Sequence, residues 1–284
     1  MTTETVKPST SRQYESKLKN LALPSILNDF SKLKQIVQSH SSNIGTNKNS
    51  YNAVLWGIKN NMYESTINDE ISNEIKRIRI QEEKQRETNK LTEKQQDIYI
   101  PWSEVISLKN KLAVDAPHSP FYIFLCIFTQ QPVRRLEDTT LIYETKKPQG
   151  DNTHNYIIIN DKLIYMVYNV YKTADTYGQQ RYRLPPTLRQ PIIDYINVNK
   201  IEVGKPLFGY ELSNSFGKYI SSNFHKYTGK AATMNTLRHS YITSLESKKI
   251  SMGRRKHIAL KMGHTLNEQA KYSFHMTDGT VVAD

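Results

Sequence analysis

Eight consecutive apolar residues, Phe121 to Phe128, follow Pro120 without a single charged side chain among them. A helix this apolar has no face to offer water, so the surrounding chain must wrap it. Eight residues are too few to cross a bilayer, which makes the run the buried centre of a core. With 284 residues the chain is long enough for one large or two modest cores. Cys126, the sole cysteine, lies inside the run. It is expected to be a small core residue in an intracellular protein, since no disulfide can close within the chain. Met1 to Ser11 is polar and carries no secretory pattern.

Upstream, apolar residues recur at helical spacing. Ile26, Phe30, Leu33 and Val37 predict a helix from Leu23, with Pro24 in its first turn. Tyr51, Val54, Leu55, Ile58 and Met62 predict a second. Ile67, Ile71, Ile75 and Ile78 line one face of a third, which runs on, charged all round, to Gln96. The pattern predicts a disordered tail over 1–12, a helical domain over 13–90 and a linker over 91–100. A second domain with a C-terminal tail spans 101–284. That domain opens with a helix carrying Val105, Ile106, Leu108 and Leu112 after Trp102. Beyond the central run come strand signals at Tyr156–Ile159, Leu163–Tyr171 and Gln179–Leu184, the first two joined by an Asn160–Asp161 turn. Helical spacing returns at Leu212, Phe216, Ile220 and Phe224, then over Met234–Ser247, then in two short helices within Gly253–Phe274. The expected fold class is mainly α with a small antiparallel β-sheet, that is, α+β.

Net charge of +12 and a pI near 9.5 call for a polyanionic partner. Residues 1–97 carry 15 basic against 12 acidic side chains, and the remainder carries 24 against 15, so the excess lies in the second domain. Six basic residues and no acid fall between Lys248 and Lys261. Lys248, Lys249, Arg254, Arg255 and Lys256 are therefore candidate contacts to DNA phosphates. Without an apolar span, nucleic acid is favoured over a membrane.

The chemistry-bearing residues come in a fixed order. Arg134 follows the apolar run, with Glu137 three residues on; Lys172 sits where a hairpin turns; Asn235, Arg238 and His239 share a helix; Gly263 and His264 precede Tyr272. Planar arginines grip two non-bridging oxygens of a phosphodiester, and a tyrosine hydroxyl can hold the phosphate covalently. Histidine and lysine can stabilise or protonate the oxygens. No Cys or carboxylate cluster has zinc spacing, so neither metal nor other cofactor is expected.

This order resembles that of the tyrosine recombinase, or phage integrase, family. The resemblance covers 101–276 by motif and the N-terminal domain by architecture. It implies a helical core-binding domain followed by a catalytic domain. The family's arginine followed at the third position by glutamate selects Arg134 over Arg135, with Glu137 as its support. Arg238 is then the second phosphate ligand, His239 a supporting group, Lys172 the acid that protonates the departing 5′ oxygen, and His264 a phosphate ligand that helps deprotonate the nucleophile, Tyr272. Tyr241 and Tyr227 are weaker alternatives. Asn235 stands where the family usually has histidine or lysine, and most members have the tyrosine one residue further from the histidine. One residue turns a helix by about 100°, so a turn before Tyr272 must absorb the difference. The resemblance implies double-stranded DNA as partner, a homotetramer during recombination, and an origin in a virus or mobile element. The alternatives are a type IB topoisomerase and a DNA-binding protein with a degenerate site.

Overall fold

The computed structural model describes residues 8–87, 90–135, 137–210, 213–248, 250–270 and 272–273. They divide into two compact units, 1–88 and 89–284.

The first unit is helical: α1 (Pro8–Leu21), α2 (Phe30–His40), α3 (Ile44–Lys59) and α4 (Asn68–Glu87), with a two-residue parallel pair β1 (Ile26–Leu27) and β2 (Glu64–Ser65). α1 begins inside the stretch expected to be a disordered tail. Its burying residues, Leu18 and Leu21, are diluted among polar neighbours, which hides the helical period. α2 starts at Phe30 rather than Leu23 because Asp29 caps it, accepting the Lys32 N–H, while Ile26 and Leu27 leave in extended backbone to pair with β2. Asn43 caps α3 in the same way through Thr46. Ile67, Ile71, Ile75 and Ile78 are all buried, as their spacing requires. α4 stops at Glu87 instead of continuing to Gln96.

The second unit starts with α5 (Glu93–Ile98) in the expected linker, held by a capping box between Thr92 and Gln95. Ile100 already belongs to the core of this unit. α6 (Trp102–Asp115) buries Trp102, Val105, Leu108 and Leu112. α7 (Pro120–Phe128), with Pro120 in its first turn and Ser119 as cap, buries seven side chains, Cys126 among them. Each large side chain removed from water contributes about 1.5–3 kcal/mol, so α7 is the anchor of this core.

A four-stranded sheet stands beside it in the order β3 (Leu141–Glu144), β4 (Asn155–Ile159), β5 (Ile164–Tyr168), β6 (Gln180–Arg183). The last three are antiparallel, as the hairpin signals predict, but β3 is parallel to β4 and makes the sheet mixed. Alternation along β4 and β5 splits their side chains: Ile157, Ile159, Ile164, Met166 and Tyr168 face the α7 core, whereas Tyr156, Ile158, Tyr165 and Val167 form a second cluster. Backbone bonds from Gly204 and Leu207 to β3 cover its outer edge. Between β5 and β6 the chain makes a loop with one short helix, α8 (Ala174–Tyr177). Then come α9 (Arg189–Val198), α10 (Ser213–Thr228), α11 (Met234–Ser247), α12 (Met252–Lys261) and α13 (Leu266–Ala270). Phe216, Ile220 and Phe224 of α10 are fully buried, whereas Leu212 lies outside the described residues. Among the described residues no helix is long and apolar enough to cross a membrane.

Candidate active site

Four chain segments converge on one cavity of about 500 Å³ in the second unit. The segment after α7 supplies Arg135, Glu137 and Thr140; the approach to β4 supplies Thr153 to Asn155; the β5–β6 loop supplies Val170 to Lys172; and the start of α11 supplies Met234, Asn235 and Arg238. α11 starts where Thr233 accepts the Thr236 N–H, so the positive end of its dipole opens into the cavity beside Asn235.

Arg238 sits one turn into α11, only 1% exposed. Its Nη1 donates to the Val133 carbonyl at 2.7 Å and its Nη2 to His264 Nδ1 at 3.2 Å, while its Nε is buried without a partner. Burial, opposed by nearby Tyr272, pulls its pKa down to about 10, which still leaves the guanidinium charged at neutral pH. Because His264 Nδ1 accepts, the neutral ring carries its proton on Nε2, and that buried N–H has no partner. Burial, then Arg238 and Arg135, push the His264 pKa down to about 3. In this arrangement His264 is a neutral hydrogen-bond donor rather than a base for Tyr272.

Tyr272 follows α13 in a turn, its N–H bonded to the Gln269 carbonyl at 2.9 Å. The helix therefore ends before the tyrosine. Its ring lies 4.7 Å from His239, 5.6 Å from His264 and 5.3 Å from the Arg238 guanidinium carbon. His239 Nδ1 donates to the Tyr272 carbonyl at 2.7 Å and so fixes its backbone. Burial, opposed by that hydrogen bond, lowers the His239 pKa to about 4 and keeps the ring neutral.

The neighbours Arg134 and Arg135 point to different places. Arg134 is 1% exposed and does not line the cavity. Its guanidinium lies over the Tyr168 and Tyr171 rings, at 4.3 and 4.6 Å. Nη1 donates to Gln180 Oε1 and the Lys261 carbonyl, both at 2.7 Å, and to the Tyr182 hydroxyl at 3.3 Å. Withdrawing it would break bonds worth about 1.5–3 kcal/mol each. Tyr168 in turn donates to Asp138, a fully buried carboxyl whose pKa burial raises to about 6. Arg135, by contrast, lines the cavity, and its Nη2 donates to the Tyr272 hydroxyl at 3.2 Å. Glu137, expected to support Arg134, accepts the backbone N–H of Arg135 at 2.6 Å.

Lys172 is exposed at the cavity wall. Its loop is pinned at both ends. The Asn155 side chain accepts the N–H groups of Asn169 and Val170 and donates to the Val170 carbonyl at 2.8 Å. On the far side, Thr173 Oγ1 donates to the Gly263 carbonyl at 2.9 Å. Gly263 has φ +70°, and a Cβ there would meet Thr173 Oγ1 at 2.8 Å, so the turn before His264 admits only glycine at this approach.

Of the basic strip, Lys248, Arg254 and Lys256 are exposed. Arg255 is instead held by Glu246, with Nη2 to Oε2 at 2.7 Å. Lys249 and the tail from His275 to Asp284 lie outside the described residues. Sequence order thus brings Arg238, His239, His264, Tyr272, Asn235 and Lys172 to one place. It does not single out Arg135 or Asn155, and His154, paired with Asp151 at 3.3 Å on the cavity wall, carries no signal in the chain at all.

No family model and no curated protein matches this chain. Among solved structures, a crystal structure of XerA recombinase aligns at 14% identity over 94% of this chain and 87% of that chain, with a TM-score of 0.42.

Proposed function

We propose that the chain breaks and rejoins DNA through a covalent link to Tyr272. The Tyr272 oxygen attacks a backbone phosphorus, its proton passes to solvent, and the bond to the 5′ oxygen breaks. That oxygen takes a proton from Lys172, leaving a 3′-phosphotyrosine and a 5′ hydroxyl. Rejoining is the reverse attack by a 5′ hydroxyl, and the phosphotyrosine conserves the bond energy it needs. Arg134 and Arg238 are the arginines the sequence offers as phosphate ligands, and the His264 Nε2–H is free to meet a non-bridging oxygen. Asn235 can donate a hydrogen bond from the start of α11 but no proton of catalytic use.

One observation carries this reading: the Tyr272 hydroxyl accepts from Arg135 at 3.2 Å, and its ring lies against Arg238 and His264 beside the cavity that Lys172 lines. Lys248, Arg254 and Lys256 extend the positive surface for duplex DNA. Exchange of strands between two sites, as a site-specific recombinase or integrase performs it, calls for a homotetramer. The same Tyr272 chemistry in a monomer that reseals the original strand would be that of a type IB topoisomerase.

The test is a pool of nicked duplexes of randomised sequence, in which loss of the short 5′ fragment traps the adduct, run in EDTA. Wild type should form a protein–DNA adduct and Tyr272→Phe none. An adduct undiminished in Tyr272→Phe would sink the assignment, as would its absence in wild type. Supercoiled plasmid relaxed without recombinant product selects the topoisomerase.

A further inference from the structure

Resting on the phosphotyrosine chemistry, we propose that Arg135, rather than its neighbour Arg134, is the guanidinium that joins Arg238 at the scissile phosphate and holds the Tyr272 hydroxyl. Arg134 is a positioning residue behind the site.

The chain is irregular at these residues and bends at Arg135. Val133 and Arg134 are buried and Arg135 turns outward to the cavity. Glu137 fixes this choice through the Arg135 N–H, not through the guanidinium, so its carboxylate leaves the Arg135 fork available for a ligand. One donor of that fork reaches Tyr272, and an arginine has five, in a plane that matches two phosphate oxygens. Arg238 lines the same cavity from α11. A phosphate gripped by both would lie beside the tyrosine oxygen, with the His264 Nε2–H at hand.

Arg134 has the opposite surroundings. Two tyrosine rings cover its guanidinium, three acceptors share its Nη1, and one of these, the Lys261 carbonyl, ends the helix that leads to His264. It ties the β5–β6 loop, through Tyr171, and β6, through Gln180 and Tyr182, to the end of α12. The spacing of arginine and glutamate in the sequence therefore marks a pair whose members act through Arg135: one behind it, one on its backbone.

The two arginines separate in a crossed experiment on the full chain, with Arg135→Gln, Arg135→Lys and Arg134→Gln in the nicked-duplex assay. Adduct rate is followed beside melting temperature by circular dichroism. Arg135→Gln should slow adduct formation at least about 100-fold with little change in melting temperature. Arg135→Lys should not restore the rate, since ammonium lacks the fork. Arg134→Gln should show the larger drop in melting temperature and the smaller drop in rate at a temperature where it is folded. The reverse order overturns the proposal, as does Arg135→Gln cleaving within about threefold of wild type. Either result leaves the nucleophile standing if Tyr272→Phe is silent. Failure of the broader reading shows up separately, as a wild type without adduct.

Discussion

The two units of the chain differ in what they bury. Among the described residues, the smaller encloses an apolar core, Tyr51 included, in which the buried carboxylate, Glu74, is met by Arg77 at 2.7 Å and Lys34 at 3.8 Å, and a neutral amide oxygen, Asn47 Oδ1, is buried without a partner. The larger encloses two arginines, an aspartic acid and a histidine, and leaves Arg134 Nε, Arg238 Nε, Ser240 Oγ and His264 Nε2 without partners. An unpartnered buried donor costs about 1–3 kcal/mol. Apolar replacements of similar size are often neutral or stabilising at such sites. The larger unit therefore carries buried polar and charged groups that folding does not call for, and two of them, Arg238 and His264, lie against the Tyr272 ring.

If that contrast is right, substitution in one unit should cost stability and in the other activity. Arg238→Met should lower adduct formation at least about 1000-fold, or about 4 kcal/mol in the barrier, while costing less stability than a core truncation. Cleavage near the wild-type rate would remove the contrast. Ile71→Ala, at a fully buried position of α4, should cost about 2–5 kcal/mol in urea unfolding, and an unchanged midpoint would show that the apolar core is not what holds the first unit.

A smaller effect concerns pH. The folded-state pKa is about 3 for His264 and about 4 for His239, while unfolded histidine lies near about 6.5. Between those values the unfolded chain binds more protons, so each histidine makes stability fall as pH drops below about 6.5. Asp138, raised to about 6, acts in the opposite sense, but it is present in both proteins compared. His264→Gln should therefore lose about 1–2 kcal/mol less than wild type between pH 7 and pH 5. Parallel melting profiles would mean that His264 is not held neutral.

Much of this was legible in the chain because helix period and hairpin turns are local signals. The buried isoleucines of α4, the apolar α7 and the Asn160 turn, where its side chain accepts two N–H groups, are set by short stretches. β3 was not, since a four-residue strand pairing in parallel with β4 depends on distant partners. Nor was α1, whose few apolar residues are diluted by polar ones. At the site, the order from Arg238 to Tyr272 identified which residues meet. Sequence could not say which of two adjacent arginines faces outward, because that depends on folded contacts such as the one from the Arg135 N–H to the Glu137 carboxylate. Nor could it tell which basic residues are free: Arg255 is engaged by Glu246, two residues outside the basic run.

The contact between Thr173 and Gly263 binds two pieces of chain some ninety positions apart into a single moving part. The loop bearing the ammonium group and the turn bearing the imidazole cannot drift independently, so under the proposed chemistry the two ends of the reacting bond stay in step. A lone methyl group at 263 would wedge that joint open and part the lysine's loop from the histidine's turn.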